Sequence, residues 1–196
     1  MSKGTETRNR IIAKAAPLFN RKGFEGCSMQ DIVEAAGLEK GSLYGHFPTK
    51  EAVALAAFEY AWHETWAVLT ARMDTVANAV EKLKIHVDNA VSRASFPGGC
   101  PLLNTITDTD DGHPAIRRMA RDAFREWRSL LESIVKEGQA RKEIRADIEP
   151  ADVVALMISL LEGAMVLDRL EKKSGFREKA GEHVMSYLDS IALPRA

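Results

Sequence analysis

The chain has 196 residues, 45% of them hydrophobic and 28% charged; residues 1–50 hold eight Lys or Arg against five Asp or Glu, a net +3, and residues 51–196 hold nineteen against twenty-three, a net −4. Two cysteines, Cys27 and Cys100, exclude a disulfide framework, the most apolar run, residues 153–167, is interrupted by Glu162 and falls short of the ~20 residues of a membrane span, and the polar opening "MSKGTETRNR" lacks the apolar core of a signal peptide. A cytoplasmic protein away from membranes is expected, with an N-terminal quarter that suits a polyanion.

The elements, taken in chain order, are all helical. Ile11, Ile12, Ala15, Leu18 and Phe19 recur at helical spacing in the first, and Gly23 ends it. Pro17 falls inside that helix, removes a backbone donor and predicts a bend. Ser28 caps a short second helix, and Asp31 completes a capping-box pattern. Met29, Ile32, Val33 and Ala36 form its apolar face, and Gly37 supplies the left-handed residue that stops it. A third helix is expected over residues 40–47, broken by Pro48, and Thr49 caps a fourth that runs toward Arg72. Further helices are expected over residues 74–94, 114–137, 150–170 and 176–191. "FPGGCP" reads as a turn and "TDTDDGH" as a polar loop, with room for a short helix between them.

A helix, a glycine-containing turn and a second short helix make a helix-turn-helix pattern. Leu43 and Phe47, four apart, fasten the third helix to the first two. Its other face is then free to enter the major groove of DNA. Lys40 can reach a phosphate or a guanine edge, and Ser42 can bond either. Tyr44 and His46 can donate to phosphate oxygens, and Gly45 lets the backbone come close to the duplex. Thr49 and Lys50 open the next helix, where backbone N–H groups and the helix dipole favour a phosphate. From the residues alone, the same segment also reads as a plain αα corner with a partly exposed surface.

Residues 5–55 resemble the DNA-binding domain of the tetracycline-repressor (TetR) family of bacterial transcription regulators. A helix ending in "LF…KGF" precedes "S-M-x-D-I-x-x-A-A-G" at residues 28–37 and "G-x-L-Y-x-H-F-x-x-K-E" at residues 41–51, with every signature position filled. The resemblance implies an all-α fold: an N-terminal three-helix helix-turn-helix domain over residues 1–50, then a helical ligand-binding and dimerisation domain over residues 51–196. It implies that Ser28 and Gln30 lie near the DNA backbone. It puts Lys40, Gly41, Ser42 and Gly45 where base edges are read, and Tyr44, His46 and Lys50 where phosphates are gripped. Gly45 departs from the family, which often carries a larger, frequently aromatic side chain there, so one base contact is missing and no operator sequence follows.

For the rest of the chain the resemblance implies a ligand pocket among the middle helices and a dimer interface on the last two. Residues 153–167 are apolar all round, which requires burial on all sides. One face can meet the core and the other a second subunit, with Met157, Leu160, Leu161 and Met165 at that interface; a central core helix in a monomer is the alternative. Phe58, Trp62 and Trp66 recur every four residues, and Phe124 and Trp127 share a later helix. They read as core or as pocket walls, with His63, His86 and Asn104 as polar contacts for a largely apolar ligand entering between the fourth helix and the 114–137 helix. An aromatic or cationic part in the ligand would suit such walls. Asp108, Asp110, Asp111 and His113 fail the calcium-loop spacing and read as a solvated loop. Cys100 reads as a small buried thiol. No metal or cofactor is expected.

Three functions compete. The first is a homodimeric repressor that binds palindromic double-stranded operator DNA and leaves it when a small molecule binds. An enzyme on a helical bundle is the second, but no nucleophile motif, phosphate loop or H-E-x-x-H spacing is present. The third is an adaptor that has lost DNA binding, against which Tyr44, His46 and Lys50 stand intact.

Overall fold

The computed structural model describes residues 2–92, 96–109, 113–171 and 174–194. Among them every long element is a helix, and one isolated bridge pairs Ile144 with Ala192. Helix α1 spans Lys3–Gly26 and is capped by the Ser2 hydroxyl, which accepts the Thr5 N–H. Its departure from helical geometry falls at Gly23, where φ is 75° and ψ is 173°. Pro17 sits inside it, and the break at Gly23 is the helix stop expected from the sequence. Helices α2 (Met29–Ala36), α3 (Lys40–His46) and α4 (Lys50–Thr70) follow. Then come a 3₁₀ turn (Met73–Thr75), α5 (Ala79–Ser92), α6 (Pro101–Thr109), α7 (Pro114–Ala140), α8 (Pro150–Leu170) and α9 (Phe176–Ile191).

Two boundaries differ from the sequence reading. The fifth helix starts at Ala79 rather than at residue 74, because Arg72 turns left-handed (φ 66°) and the Asn78 side chain accepts the Glu81 N–H, capping the new helix. Residues 107–109 of the expected polar loop belong to α6. Residues 110–112, with Asp110 and Asp111, lie outside the described residues.

The chain packs as two compact units. The first comprises Met1–Thr65 and Ser95–Phe124. Its core gathers Ile11, Ala15, Ile32, Leu43, Phe47, Val53 and Ala57, and α6 packs along α1. The second comprises Trp66–Ala94 and Arg125–Ala196, in which α5, α8 and α9 pack together. Gly181 brings α9 so close to α5 that a Cβ there would stand 2.7 Å from a Val91 methyl.

By length and composition alone helix α8 could cross a membrane, although the sequence reading found the apolar run too short. Its packing gives it another role. Val153, Val154, Met157, Leu161 and Ala164 are buried within the second unit, while Leu156, Leu160, Val166 and Leu167 are exposed. The all-round apolar helix therefore has two separate apolar faces.

Candidate nucleic-acid interface

The α2–turn–α3 corner is fixed by its own hydrogen bonds. Ser28 Oγ accepts the Asp31 N–H at 3.1 Å and Asp31 accepts the Ser28 N–H at 2.8 Å, closing the capping box. Lys22 reaches the same carboxylate at 2.5 Å. That bond first, and the Ser28 bonds next, hold the Asp31 carboxyl well below the usual carboxylate range. Gly37 takes φ 61° and donates back to Glu34 and Val33 carbonyls, which ends α2. Leu43 is fully buried and Phe47 nearly so, anchoring α3 from beneath; removing such a core side chain typically costs ~2–5 kcal/mol.

What the anchoring leaves outward is polar and small. Lys40, Gly41, Tyr44 and Gly45 are exposed, and Ser42 and His46 are half-buried. A Cβ built on Gly41 or Gly45 would meet nothing within 4 Å. Among the described residues nothing crowds either position, which leaves both open to a close approach from outside. Ser28 and Gln30 are exposed, but the Ser28 hydroxyl already serves the cap and the Gln30 amide donates to Glu34 at 3.0 Å. Thr49 Oγ1 accepts the Ala52 N–H at 3.1 Å and caps α4. The Lys50 ammonium stands 4.3 Å from the Phe24 ring centre, and the Arg8 guanidinium 4.9 Å from that of Phe47. The sequence reading missed Phe24 and Arg8 as neighbours of the interface. Phe24 was in view in the "KGF" segment, but its contact with Lys50 crosses 26 positions of chain that no local spacing connects.

Comparison with known proteins decides the family. Residues 11–57 match the family described as "Bacterial regulatory proteins, tetR family", and residues 79–184 match the "Tetracyclin repressor-like, C-terminal domain". A TetR-family regulator from Cytophaga hutchinsonii is 38% identical, with a TM-score of 0.91 over 100% of this chain and 99% of its own. The chain belongs to the TetR family. A second TetR regulator, from Chloroflexus aurantiacus J-10-FL, is 37% identical, with a TM-score of 0.94 over 99% of this chain and 100% of its own. The transcriptional repressor DhaR of Mycobacterium sp. (strain GP1) is 24% identical across 86% of this chain and 85% of its own. These relatives regulate transcription rather than catalyse reactions, and this TetR-family protein is likewise a DNA-binding transcriptional regulator and not an enzyme.

The residues expected to contact a ligand in this TetR-family regulator fall in different settings. In the first unit, Trp62 is buried, His63 is exposed, and Phe124 is half-buried. The Asn104 amide donates to the Asn20 and Gly98 carbonyls, both at 2.9 Å, and so ties α6 to α1. In the second unit, Trp66 is half-buried, while His86 and Trp127 are buried against each other. Trp127 Nε1–H donates to His86 Nε2 at 3.3 Å, which leaves His86 Nδ1–H to donate to the Leu69 carbonyl at 3.1 Å. Asn89 donates to the Leu69 carbonyl at 3.2 Å and to that of Ala71 at 2.7 Å. These groups satisfy carbonyls at the end of α4 that have no helical partner. His86 is thus a helix-end partner with both nitrogens engaged, unlike the ligand contact expected from sequence. Burial pushes its pKa down to about 4, opposed by the Leu69 bond.

A small cleft with about 40 Å³ of free volume, partly open to solvent, lies within the first unit. Alanines 16, 54, 57 and 61 make its space, Phe58 and Ile116 wall it, and Asn104 and Asp108 supply polar edges. Asp108, expected in a solvated loop, accepts the Phe24 N–H. Among the residues expected at a dimer interface, Met157 and Leu161 face the core of the second unit, Met165 is half-buried and Leu160 faces out. Met157 and Leu161 correct the expectation, because the inward face of α8 claims them.

Proposed function

We propose that the protein is a homodimeric cytoplasmic repressor that binds a palindromic operator and releases it when a small molecule binds. Residues 1–50 serve as the DNA-binding domain and residues 51–196 as the effector and dimerisation domain. The observation that carries this reading is the outward face of α3. It has exposed Lys40 and Tyr44, half-buried Ser42 and His46, and two glycines that open onto free space. Such a face fits a major groove, with Lys40 and Ser42 at base edges, Tyr44, His46 and Lys50 at phosphates, and the Gly45 backbone close to the duplex.

Dimerisation is supported by the outer face of α8. Leu156, Leu160 and Leu167 follow at helical spacing, and Gly163 between them leaves open space for a second helix to approach. Two recognition helices must then sit about one DNA turn apart, ~34–36 Å, or a multiple of that. The effector reading draws on the alanine-made cleft, which is lined by α1, α4 and α6 with Ile116 of α7; of the residues expected to contact a ligand, Asn104 lines it, while Trp62, Trp66, Phe124 and Trp127 do not. It would have to widen to admit a small, largely apolar molecule. Genomic footprinting with the purified protein tests the reading: protected sites should be inverted repeats with a fixed half-site spacing. Uniform binding to all DNA, or none, would overturn it.

A further inference from the structure

Phe24 holds three parts of the first unit at once. It follows the break at Gly23, where φ is 75° and a Cβ would lie 2.3 Å from an Asp108 oxygen. Its N–H donates to that same Asp108 carboxylate on α6. Its ring centre lies 4.0 Å from that of His113, whose Nε2–H donates to Glu25 at 3.0 Å. The Lys50 ammonium stands 4.3 Å from the same ring. Lys22 offers a contrast, since its ammonium is paired with Asp31 at 2.5 Å. Among the described residues no carboxylate pairs with Lys50 in this way.

We propose that Phe24 is a positioning residue for DNA binding, whose ring holds the Lys50 ammonium ready for a phosphate without neutralising it. The proposal rests on the reading of Lys50 as a phosphate contact. A carboxylate partner would also order this long side chain, but it would cancel the charge that a phosphate needs. An aromatic face attracts the cation through its quadrupole and leaves the net charge intact. An ammonium has three donors, so one side can rest on the ring while the others face a phosphate. Ordering a lysine beforehand removes an entropy cost from binding. The Phe24 backbone is held by the Asp108 bond and its ring by His113, so α6 and the residue before α7 act on Lys50 through Phe24.

A phosphate contact acts on every sequence alike, so full-length variants can be compared on any duplex DNA at several salt concentrations. Phe24→Leu keeps an apolar side chain but removes the ring, and should weaken binding about 2–5-fold. Phe24→Trp should bind at least as well as the unaltered protein. In a Lys50→Ala background, Phe24→Leu should have no further effect. Phe24→Met gives the same comparison should the leucine variant lose its fold, as judged by melting. Equal weakening in both backgrounds would mean that the ring only supports the fold, and tighter binding by Phe24→Leu that it holds the lysine away from DNA; either overturns the proposal. Lys50→Ala that lowers the salt slope by about one unit, while Phe24→Leu changes nothing, overturns the positioning role alone. Lys50→Ala with no effect overturns the phosphate reading and the proposal together.

Discussion

Gly23 and Gly45 look alike in sequence and serve opposite purposes. Gly23 has φ 75° and ψ 173°, a region essentially restricted to glycine, and its missing Cβ makes room for the Asp108 carboxylate. Gly23→Ala should cost about 1–3 kcal/mol and release the Phe24 N–H as the carboxylate moves aside, read as a lower urea midpoint. Gly45 is helical, exposed and faces open space. Alanine there removes the helix penalty of glycine, so Gly45→Ala should raise stability by up to ~1 kcal/mol. If the Gly45 backbone lies against the duplex, the same methyl should weaken operator binding. A Gly45→Ala protein that is both more stable and fully active would refute that close approach. The glycine at 23 was legible as a helix stop, because left-handed residues end helices. Its fit to Asp108 was not, since that contact joins residues 85 positions apart.

Helix ends account for much of what sequence could and could not tell. The α2 cap and stop were readable because Ser28, Asp31 and Gly37 act within a few residues of one another. The α4 end was not, because its carbonyls are satisfied by His86 and Asn89, some 17 to 20 residues away. A histidine on a helix gives no sign of whether it faces a ligand or a carbonyl. The chemistry of that cap leads to a pH prediction. The folded protein holds His86 neutral with a pKa near about 4, while the unfolded chain titrates it near ~6.5. Below pH ~6.5 the unfolded state binds more protons, so stability falls with acid and the loss levels off near pH 4. A shift of this size is worth about 3 kcal/mol. Urea unfolding at pH 7 and pH 4.5 should show the drop. A His86→Gln protein, less stable at pH 7, should show a smaller one, and an unchanged drop would assign the acid sensitivity elsewhere. Likewise α8 was legible as apolar all round, but only its packing separates the inward Met157 and Leu161 from the outward Leu160.

That separation gives a test of assembly in the whole molecule. Leu160 is 38% exposed and Leu161 is 6% exposed, so neighbouring substitutions should have different outcomes. Leu160→Glu puts a charge on the outer face and should yield folded monomers by sedimentation. Leu161→Glu buries a charge within the second unit and should unfold the chain or precipitate it. Monomeric Leu160→Glu should also lose most operator affinity, because a single half-site lacks the avidity of two linked recognition helices. The proposed effector action would draw on the same proposed assembly. To release DNA, an effector must bind the released arrangement more tightly than the DNA-bound one. A coupling of ~1–3 kcal/mol weakens operator binding by ~5–150-fold, and saturating operator must weaken effector binding by the same factor. The candidate cleft can be filled from within. Ala57 is almost fully buried at its wall, and Ala57→Leu adds bulk without charge. If the cleft is the effector site, Ala57→Leu should abolish effector binding; because Ala57 also belongs to the first-unit core, the variant should lose ~1–3 kcal/mol of stability and is compared only where melting shows it folded. It should also fix operator affinity at one value, whether or not a releasing compound is present. A variant that still responds to the compound as the unaltered protein does would move the effector site away from this cleft.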